Sequence, residues 1–396
     1  MGWKSMEVRE QRVRFVVAAS RGEKPFQALC EEFEISRPTG YVWKKRYQEQ
    51  GVAGIVERSR RAGRQAQQTE QSLEEQVEQL RRRYPDWGAR KLQVLLARQG
   101  VEMTRSTIHR VLIRRGLVQR QAGGKRTWKR FAREQPNQLW QMDFKGPKNW
   151  PQGVGPLSVL DDHSRYLIVL HAGRDMCGDT VREQLEGAFQ QCGVPEGMLM
   201  DHGSPWWGMQ SPGGMTQLSL WLMRQGIGLH YSGIRHPQTQ GKVERFHGSL
   251  QRAAVLRQAP SQQLQDWLDA YRWEHNNVRP HQALEMKTPA SLWHPSVRRY
   301  DPQPPRWEYA EGAWVRKLDG DGSLQIRGQK WHISAALRGE QVQILPVEQR
   351  LLVYYCATLV RELEPLSQRS TIVQRWTPMP KAKRGKDGGS AALENA

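Results

Sequence analysis

The spacing of apolar residues along this 396-residue chain changes twice. Up to about residue 118 they recur at helical intervals, and from Leu139 to Asn276 apolar and alternating runs interleave with helical stretches. Beyond Trp307 short alternating segments dominate. The first region predicts short helices. Val13, Val16 and Val17 mark one apolar face, and Phe26, Leu29 and Phe33 mark a second helix. SRPTGYVWKKRYQEQG then predicts a basic helix with Ser36 as cap, Pro38 in the first turn and Gly51 as stop. Two short helices, a tight turn and a third basic helix match a helix-turn-helix. Arg37, Thr39 and Gly40 then lie at the groove-facing end, with Lys44 and Lys45 further along. A small three-helix bundle with a solvated basic face is the competing reading.

A polar, aperiodic stretch (Glu57–Gln68) reads as a linker to a second unit of the same kind. There Val77, Leu80, Leu92, Leu95 and Leu96 precede a helix capped by Thr104, with Ile108, Val111 and Leu112 on its apolar face. Arg105, Ser106, Thr107, His109 and Arg110 are left to face DNA. A basic connector follows, KRTWKRFAR, in which Lys125 and Arg126 can track phosphates. In LWQMDF, Trp140, Met142 and Phe144 share one face and Gln141 and Asp143 the other. LSVLDDHSRYLIVL predicts two strands joined by a tight turn at Asp162-His163-Ser164, and further elements complete the order βββ-α-β-α-β-α, an α/β core with a mixed sheet. After the Pro-rich join Arg298–Trp307, six short strands predict a small SH3-like β-barrel, and a tail poor in apolar residues predicts disorder. The expected organisation is a multidomain chain. All-α helix-turn-helix units occupy 1–60 and 61–120, followed by a basic linker at 121–138. An RNase H-like α/β core with a mixed five-stranded sheet spans 139–297, the barrel 311–364 and the tail 365–396.

Charge sharpens this picture. The formal net charge is +20, and residues 1–133 carry 30 Lys/Arg against 14 Asp/Glu. A polyanion partner is expected, double-stranded DNA first, gripped chiefly by the front of the chain. The four cysteines lack CxxC spacing, which argues against a zinc ribbon or a disulfide framework and fits a reduced cytoplasmic setting. No apolar run reaches the ~18 residues of a membrane span, and no signal peptide is evident at the N-terminus.

Three carboxylates are the chemistry candidates. Asp143 lies on the first core strand, Asp201 at the end of the strand MLMD, and Glu244 on a helix that buries Val243, Phe246 and Leu250. Ligands gather at strand ends in open α/β sheets. Acids converging there repel one another unless hard cations hold them, and two Mg²⁺ (or Mn²⁺) ions about 3.5–4 Å apart suit phosphoryl transfer. Lys242, Arg245, His247 and Arg252 supply basic surroundings for Glu244. Taken singly, each acid also reads as an ordinary strand-end or surface carboxylate. Asp161 and Asp162 read as hairpin-turn residues, and Asp175 and Asp179 as turn and cap residues. Trp206 and Trp207 leave two readings open, stacking on a splayed base or packing under the site.

QLWQMDF, VLDDHSRYLIVL, MDHGSPW, YSGIRHPQTQGKVERFHGSLQR and HNNVRPHQALEMKTPASLW together resemble the integrase-type core of Asp-Asp-Glu insertion-sequence transposases. SRPTGYVWKKRYQEQGVAGIVERSRR resembles the leading helix-turn-helix of bacterial members. The resemblance spans roughly Glu23 to His294. It implies an RNase H-like fold, two divalent metals, strand transfer at element ends, and Asp143, Asp201 and Glu244 as metal ligands. It also places His236, Gln240, Gly241 and Lys242 on the loop and helix start that approach the DNA end, and it makes the β-module similar to the small barrels of phage transposases and retroviral integrases. The chain departs from the group in two ways. His202 follows the second acid where Asn or Ser is usual. In addition, 57 residues separate the first two acids and 42 the last two, the latter a long gap whose excess falls in GMQSPGGMT. The zinc-binding His/Cys domain of retroviral integrases is absent. The expected function is a bacterial DNA transposase that binds terminal inverted repeats, nicks 3′ ends and transfers strands as a homo-oligomer on DNA. An accessory ATPase leaves no mark in the sequence. The rivals are a catalytically silent DNA-binding regulator, an end-bridging scaffold, and a general RNase H-type nuclease.

Overall fold

The computed structural model describes residues 8–56, 69–118, 132–146, 150, 155–208, 214–232 and 241–373. The chain divides into two compact units, Met1–Thr69 and Glu70–Ala396. The first holds helices α1 (Val8–Arg21), α2 (Phe26–Glu32) and α3 (Arg37–Gln50), closed by a short 3₁₀ turn at Gly51–Ile55. Ser36 caps α3 by accepting a hydrogen bond from Thr39 N, and Gly51 ends it at φ +60°, where a side chain would be strained. The buried face of α1 is Phe15, Val16 and Ala19 rather than the expected Val13, Val16 and Val17. Phe15 makes edge contacts with Phe26 and Phe33, and this aromatic packing sets the helix rotation.

The second unit begins with α4 (Gln71–Arg83), α5 (Ala89–Arg98) and α6 (Arg105–Arg114), packed around Val77, Trp87, Leu92, Leu96, Ile108 and Val111. Thr104 caps α6 through Thr107 N at 3.2 Å. The core follows with β1 (Trp140–Phe144), β2 (Leu157–Asp161), β3 (Leu167–His171), α7 (Gly178–Cys192), β4 (Gly197–Met200), α8 (Gln217–Arg224), β5 (Gly228–Tyr231), α9 (Gly241–Leu256) and α10 (Leu264–Asn277). The strand order is β3-β2-β1-β4-β5. The pairs β1–β2 and β2–β3 are antiparallel, and β1–β4 and β4–β5 are parallel. Both faces are covered. Trp140, Met142, Met198 and Met200 pack with α7 and α8, while Leu160, Leu167 and Leu170 pack with α9 and α10. Burial on both sides explains why β2 and β3 read as continuous apolar runs.

The C-terminal strands are β6 (Val315–Lys317), β7 (Ser323–Ile326), β8 (Gln329–His332), β9 (Gln341–Val347), β10 (Arg350–Tyr355), β11 (Thr358–Glu364) and β12 (Arg369–Ile372). The expected barrel is not closed: β12-β11-β10-β9-β6 form an open five-stranded sheet, and β7 and β8 form a separate hairpin. Residues 365–373, expected to belong to a disordered tail, are instead ordered, because β12 pairs with β11 from Arg361↔Ile372 to Glu364↔Arg369. Backbone pairing orders this polar stretch where composition alone predicts none. The module is tied to the core by Arg224, whose guanidinium donates to Tyr355 Oη and Glu340 Oε1, both at 2.9 Å. No helix among the described residues is long and apolar enough to cross a membrane.

Candidate active site

Sheet register brings the first two acids together. In the parallel β1–β4 pair, Trp140 faces Met198 and Gln141 faces Leu199. The same 58-residue offset sets Asp143 opposite Asp201, which directly follows β4. Side chains alternate along both strands, so Met142 and Met200 enter the α7/α8 core, and Asp143 and Asp201 share the opposite face with Gln141. That face is covered by α9, whose first turn carries Glu244, an exposed side chain among buried Val243, Phe246 and His247.

Asp143 is half-buried, and its carboxyl is pushed up to about 7. Burial is the main cause. The neighbouring charges of Asp201 and Glu244 push the same way, opposed by a backbone hydrogen bond from Phe144 and by Lys145. Asp201 is held by its surroundings: its Oδ1 accepts from Gly203 N at 2.8 Å and from Trp206 Nε1 at 2.5 Å. Trp206 is buried and stacked on Phe144, so its role is to pack and to orient Asp201, and stacking on a base is excluded for it. Trp207 is half-buried, edge-on to His202 and Tyr231. Among the described residues, no three His, Cys, Asp or Glu side chains stand close enough to form a ready metal cage. The donor set still suits hard cations. Asp143 and Asp201 lie side by side at the sheet rim, Glu244 stands in the first turn of α9, and the Asp143 carboxyl, raised chiefly by burial, also feels the charges of the other two.

A second constellation, buried except for the partly exposed Lys242, positions these acids. Gln141, two residues before Asp143, donates from Nε2 to Asp162 Oδ1 at 2.7 Å, and its Oε1 accepts from Val243 N, next to Glu244, at 3.3 Å. Lys242 Nζ lies 2.5 Å from Asp162 Oδ2 and donates to the Asp162 carbonyl at 3.0 Å. Asp162 thus ties the β2–β3 turn, β1 and the start of α9 together. Asp161 beside it accepts from Asn137 N, Ser164 N and Ser164 Oγ. Lys242 is therefore a structural cation here and not the DNA contact expected of it. The start of α9 sits over a carboxylate with no access to water, and such a charge must be paired. Burial pulls the Lys242 ammonium down to about 8 against the opposing pull of Asp162.

His247 also departs from expectation. It is buried, not part of a basic surface, and burial pulls its pKa down to about 3. Its Nδ1 lies 3.6 Å from Asp143 Oδ2 and its Nε2 lies 3.1 Å from Ser158 Oγ, while Ser158 is the β2 partner of Asp143. The imidazole is neutral, so the 3.6 Å contact with Asp143 is a dipolar one and not an ion pair. The positioning roles of Gln141, Ser158 and Asp162 are not evident from the sequence, where Gln141 only shares a strand face with Asp143 and Asp162 reads as a turn residue. For Gln141 and Ser158 the available signal is a polar residue within an otherwise apolar strand.

Of the residues expected to touch DNA, Arg37, Thr39 and Lys45 are exposed on α3, though the Thr39 hydroxyl is bonded to Ser36 at 2.8 Å. Lys44 is half-buried over the Phe26 ring. Arg105, Ser106, His109 and Arg110 are exposed on α6, though the hydroxyls of Ser106 and Thr107 are both bonded to Thr104. Arg245 is exposed on α9. Lys125, Arg126, His236 and Gln240 lie outside the described residues.

Comparison with known proteins agrees with this architecture. Models of the integrase core domain match residues 133–237 and 225–289, a helix-turn-helix domain matches 11–63, and a homeodomain-like domain matches 39–112. The chain is 25% identical over 221 residues to the insertion element IS407 uncharacterized 31.7 kDa protein of Burkholderia multivorans, covering 54% of this chain and 76% of that protein. Among solved structures it is similar to a chain of the simian T-cell lymphotropic virus intasome complex (15% identity, TM-score 0.36, 76% of this chain and 96% of that one). It is also similar to the HTLV-2 integrase catalytic core domain in complex with magnesium (16% identity, TM-score 0.32, 41% of this chain and 99% of that one). The family matches and the insertion-element relative support an insertion-sequence transposase: an integrase core preceded by helix-turn-helix DNA-binding domains.

Proposed function

We propose that this transposase binds the terminal inverted repeats of its element, nicks the 3′ ends and joins them to target DNA, with Asp143, Asp201 and Glu244 as the catalytic acids. The observation that supports this reading most is the parallel register of β1 and β4, which brings Asp143 near Asp201 just past β4, with the charge of Glu244 in the first turn of α9 also felt at the Asp143 carboxyl. They are the residues that would hold two Mg²⁺ or Mn²⁺ ions, which supply activation of the attacking oxygen and stabilisation of the leaving oxygen. Asp201 is oriented by Trp206, and Glu244 by the bonds of Gln141 and Asp162 to Val243 and Lys242. Water attacks the phosphodiester at the element end and releases a 3′-hydroxyl. That hydroxyl then attacks a target phosphodiester, one P–O bond forming as another breaks, with no covalent protein–DNA link required. The exposed Arg37, Lys45, Arg105, Ser106, Arg110 and Arg245 contact the duplex, and pairing of two ends calls for a homo-oligomer on DNA.

Nicking of a duplex selected by the full-length chain from a random-sequence library, with and without Mg²⁺, tests the reading. The wild type should nick only with the metal. Glu244→Gln should retain the duplex within a few-fold of wild-type affinity and lose nicking by at least about a hundredfold, the scale on which single catalytic groups act. Binding without cutting by the wild type would replace this reading with that of a DNA-binding regulator.

A further inference from the structure

The second helix-turn-helix is plugged into the catalytic core by charge. The turn between α4 and α5, YPDWG, inserts Asp86, whose side chain is 1% exposed. Arg257, one residue past the end of α9, donates to Asp86 Oδ1 from Nε at 3.0 Å and from Nη2 at 2.6 Å, and it forks onto Glu274 of α10 with two bonds of 2.8 Å. Arg279 reaches Asp86 Oδ2 at 3.3 Å and the Tyr271 hydroxyl at 3.1 Å. Tyr84 and Trp87 flank Asp86, stacked at 4.1 Å, with Arg257 over the first ring and Arg279 over the second. Arg98 of α5 adds a bond to the Val278 carbonyl at 2.9 Å, and Val278 packs against the helical core of this unit. A buried carboxylate shared by two guanidiniums tolerates little displacement, because separation strands charge away from water.

The same docking shapes the DNA-facing side. A cleft of about 550 Å³ is walled by Arg90 and Lys91 of α5, Arg105 and His109 of α6, and Gln282 and Met286 from the core. The helix expected to read DNA and the catalytic core thus share one wall. The link to the chemistry is α9 itself. Glu244 sits in its first turn and Arg257 follows its last residue, thirteen positions on. At about 1.5 Å per residue this is a rod of roughly 20 Å, or about six base pairs of duplex at roughly 3.4 Å each.

We propose that α4–α6 and the catalytic core form one rigid body in which the Asp86 plug and α9 act as a ruler, holding the DNA contacted by α6 at a fixed offset from the carboxylates and so selecting which phosphodiester is cut. The cutting part of this rests on the transposase reading; the rigidity does not. The test uses the full chain in a Cys177→Ser, Cys192→Ser background, spin-labelled at Ile113→Cys on α6 and Trp273→Cys on α10, both exposed positions. The otherwise native protein should give one narrow inter-label distance, unchanged by the selected duplex, and should nick that duplex at a single phosphodiester. Asp86→Ala should broaden the distance, leave duplex affinity within a few-fold, and spread the nicks over several neighbouring positions. A broad distance in the protein with Asp86 intact overturns the proposal, and needs no variant to fold. A single, unshifted nick site in an Asp86→Ala chain that shows the broadened distance overturns it equally. A narrow distance with no nicking overturns the transposase reading and, with it, the ruler, while the rigid docking stands.

Discussion

In the first helical unit the side chains that hold α1, α2 and α3 together are apolar: Phe15, Val16, Ala19, Leu29, Cys30 and Ile55. None of that unit's described polar or charged residues is buried, and its ion pairs, such as Lys24–Glu32 and Lys45–Glu49, lie on the surface. The second helical unit, α4–α6, has the same three-helix plan and an apolar centre of similar make-up, yet it hides two carboxylates. Glu74 is buried beside Arg114 and Arg115 at the end of α6, and Asp86 is buried between Arg257 and Arg279 of the core. Apolar burial is non-directional and suffices to fold a module. Buried ion pairs contribute little net stability but penalise every arrangement except the one that satisfies them. The contrast teaches that the second unit is built to be held in one orientation, a requirement that nothing in the charge pattern of the first unit expresses.

The largest test of that contrast is a pair of substitutions. Asp86→Ala strips buried Arg279 of its carboxylate and leaves Arg257 with Glu274 alone, and it should destabilise the docked α4–α6 helices by about 3–5 kcal/mol in denaturant unfolding, as broken buried pairs do. Glu32→Ala in the first unit removes only an exposed partner of Lys24 and should change stability by less than about 1 kcal/mol. Equal effects would dissolve the distinction.

A smaller effect concerns pH. Lys91, on the cleft wall, has its ammonium pulled down to about 7, first by burial and next by Arg279. Its folded value lies below the ordinary lysine value, so between about pH 7 and 10 the unfolded chain binds a proton that the folded chain does not. Stability should therefore rise with pH across that window, by at most about 1 kcal/mol per unit, and the rise is complete above the unfolded value. Lys91→Met should flatten the slope of midpoint against pH in this range; an unchanged slope would show that the group does not titrate there.

The smallest effect is one in which the two units should agree. Ser36→Ala and Thr104→Ala each remove a side-chain acceptor for the third backbone N–H of a helix, α3 and α6 respectively. Each should cost about 1 kcal/mol, since capping is a local interaction and indifferent to what lies beyond the helix.

Much of this protein was legible from its residues because local rules govern it. Ser36, Thr104 and Gly51 act at helix ends as their chemistry predicts, and the apolar periods of α4–α6 and the order of core elements follow from burial on one face or two. Where the reading failed, the failure has one physical form. Val17 gave way to Phe15 and Ala19 because aromatic packing rotated α1. Strand β12 formed in a polar stretch because a neighbouring strand offered hydrogen bonds, and the expected barrel stayed open because closure depends on partners across the sheet. Lys242 and His247 counted as basic surface until packing set one on Asp162 and the other between Asp143 and Ser158.

By itself, then, the amino-acid order determined which segments become helix or strand, where they start and stop, and which acids stand at element ends, since propensity, period and capping are decided within a few residues of each position. Only the tertiary structure decided that Asp143 on β1 and Asp201, just past the parallel strand β4, come side by side. It also decided which cations are consumed by buried carboxylates and which stay exposed, and that α9 connects Glu244 to the Asp86 plug. Those outcomes depend on pairing between residues far apart in the chain, and on the cost of leaving a charge without water or partner, which no local pattern encodes.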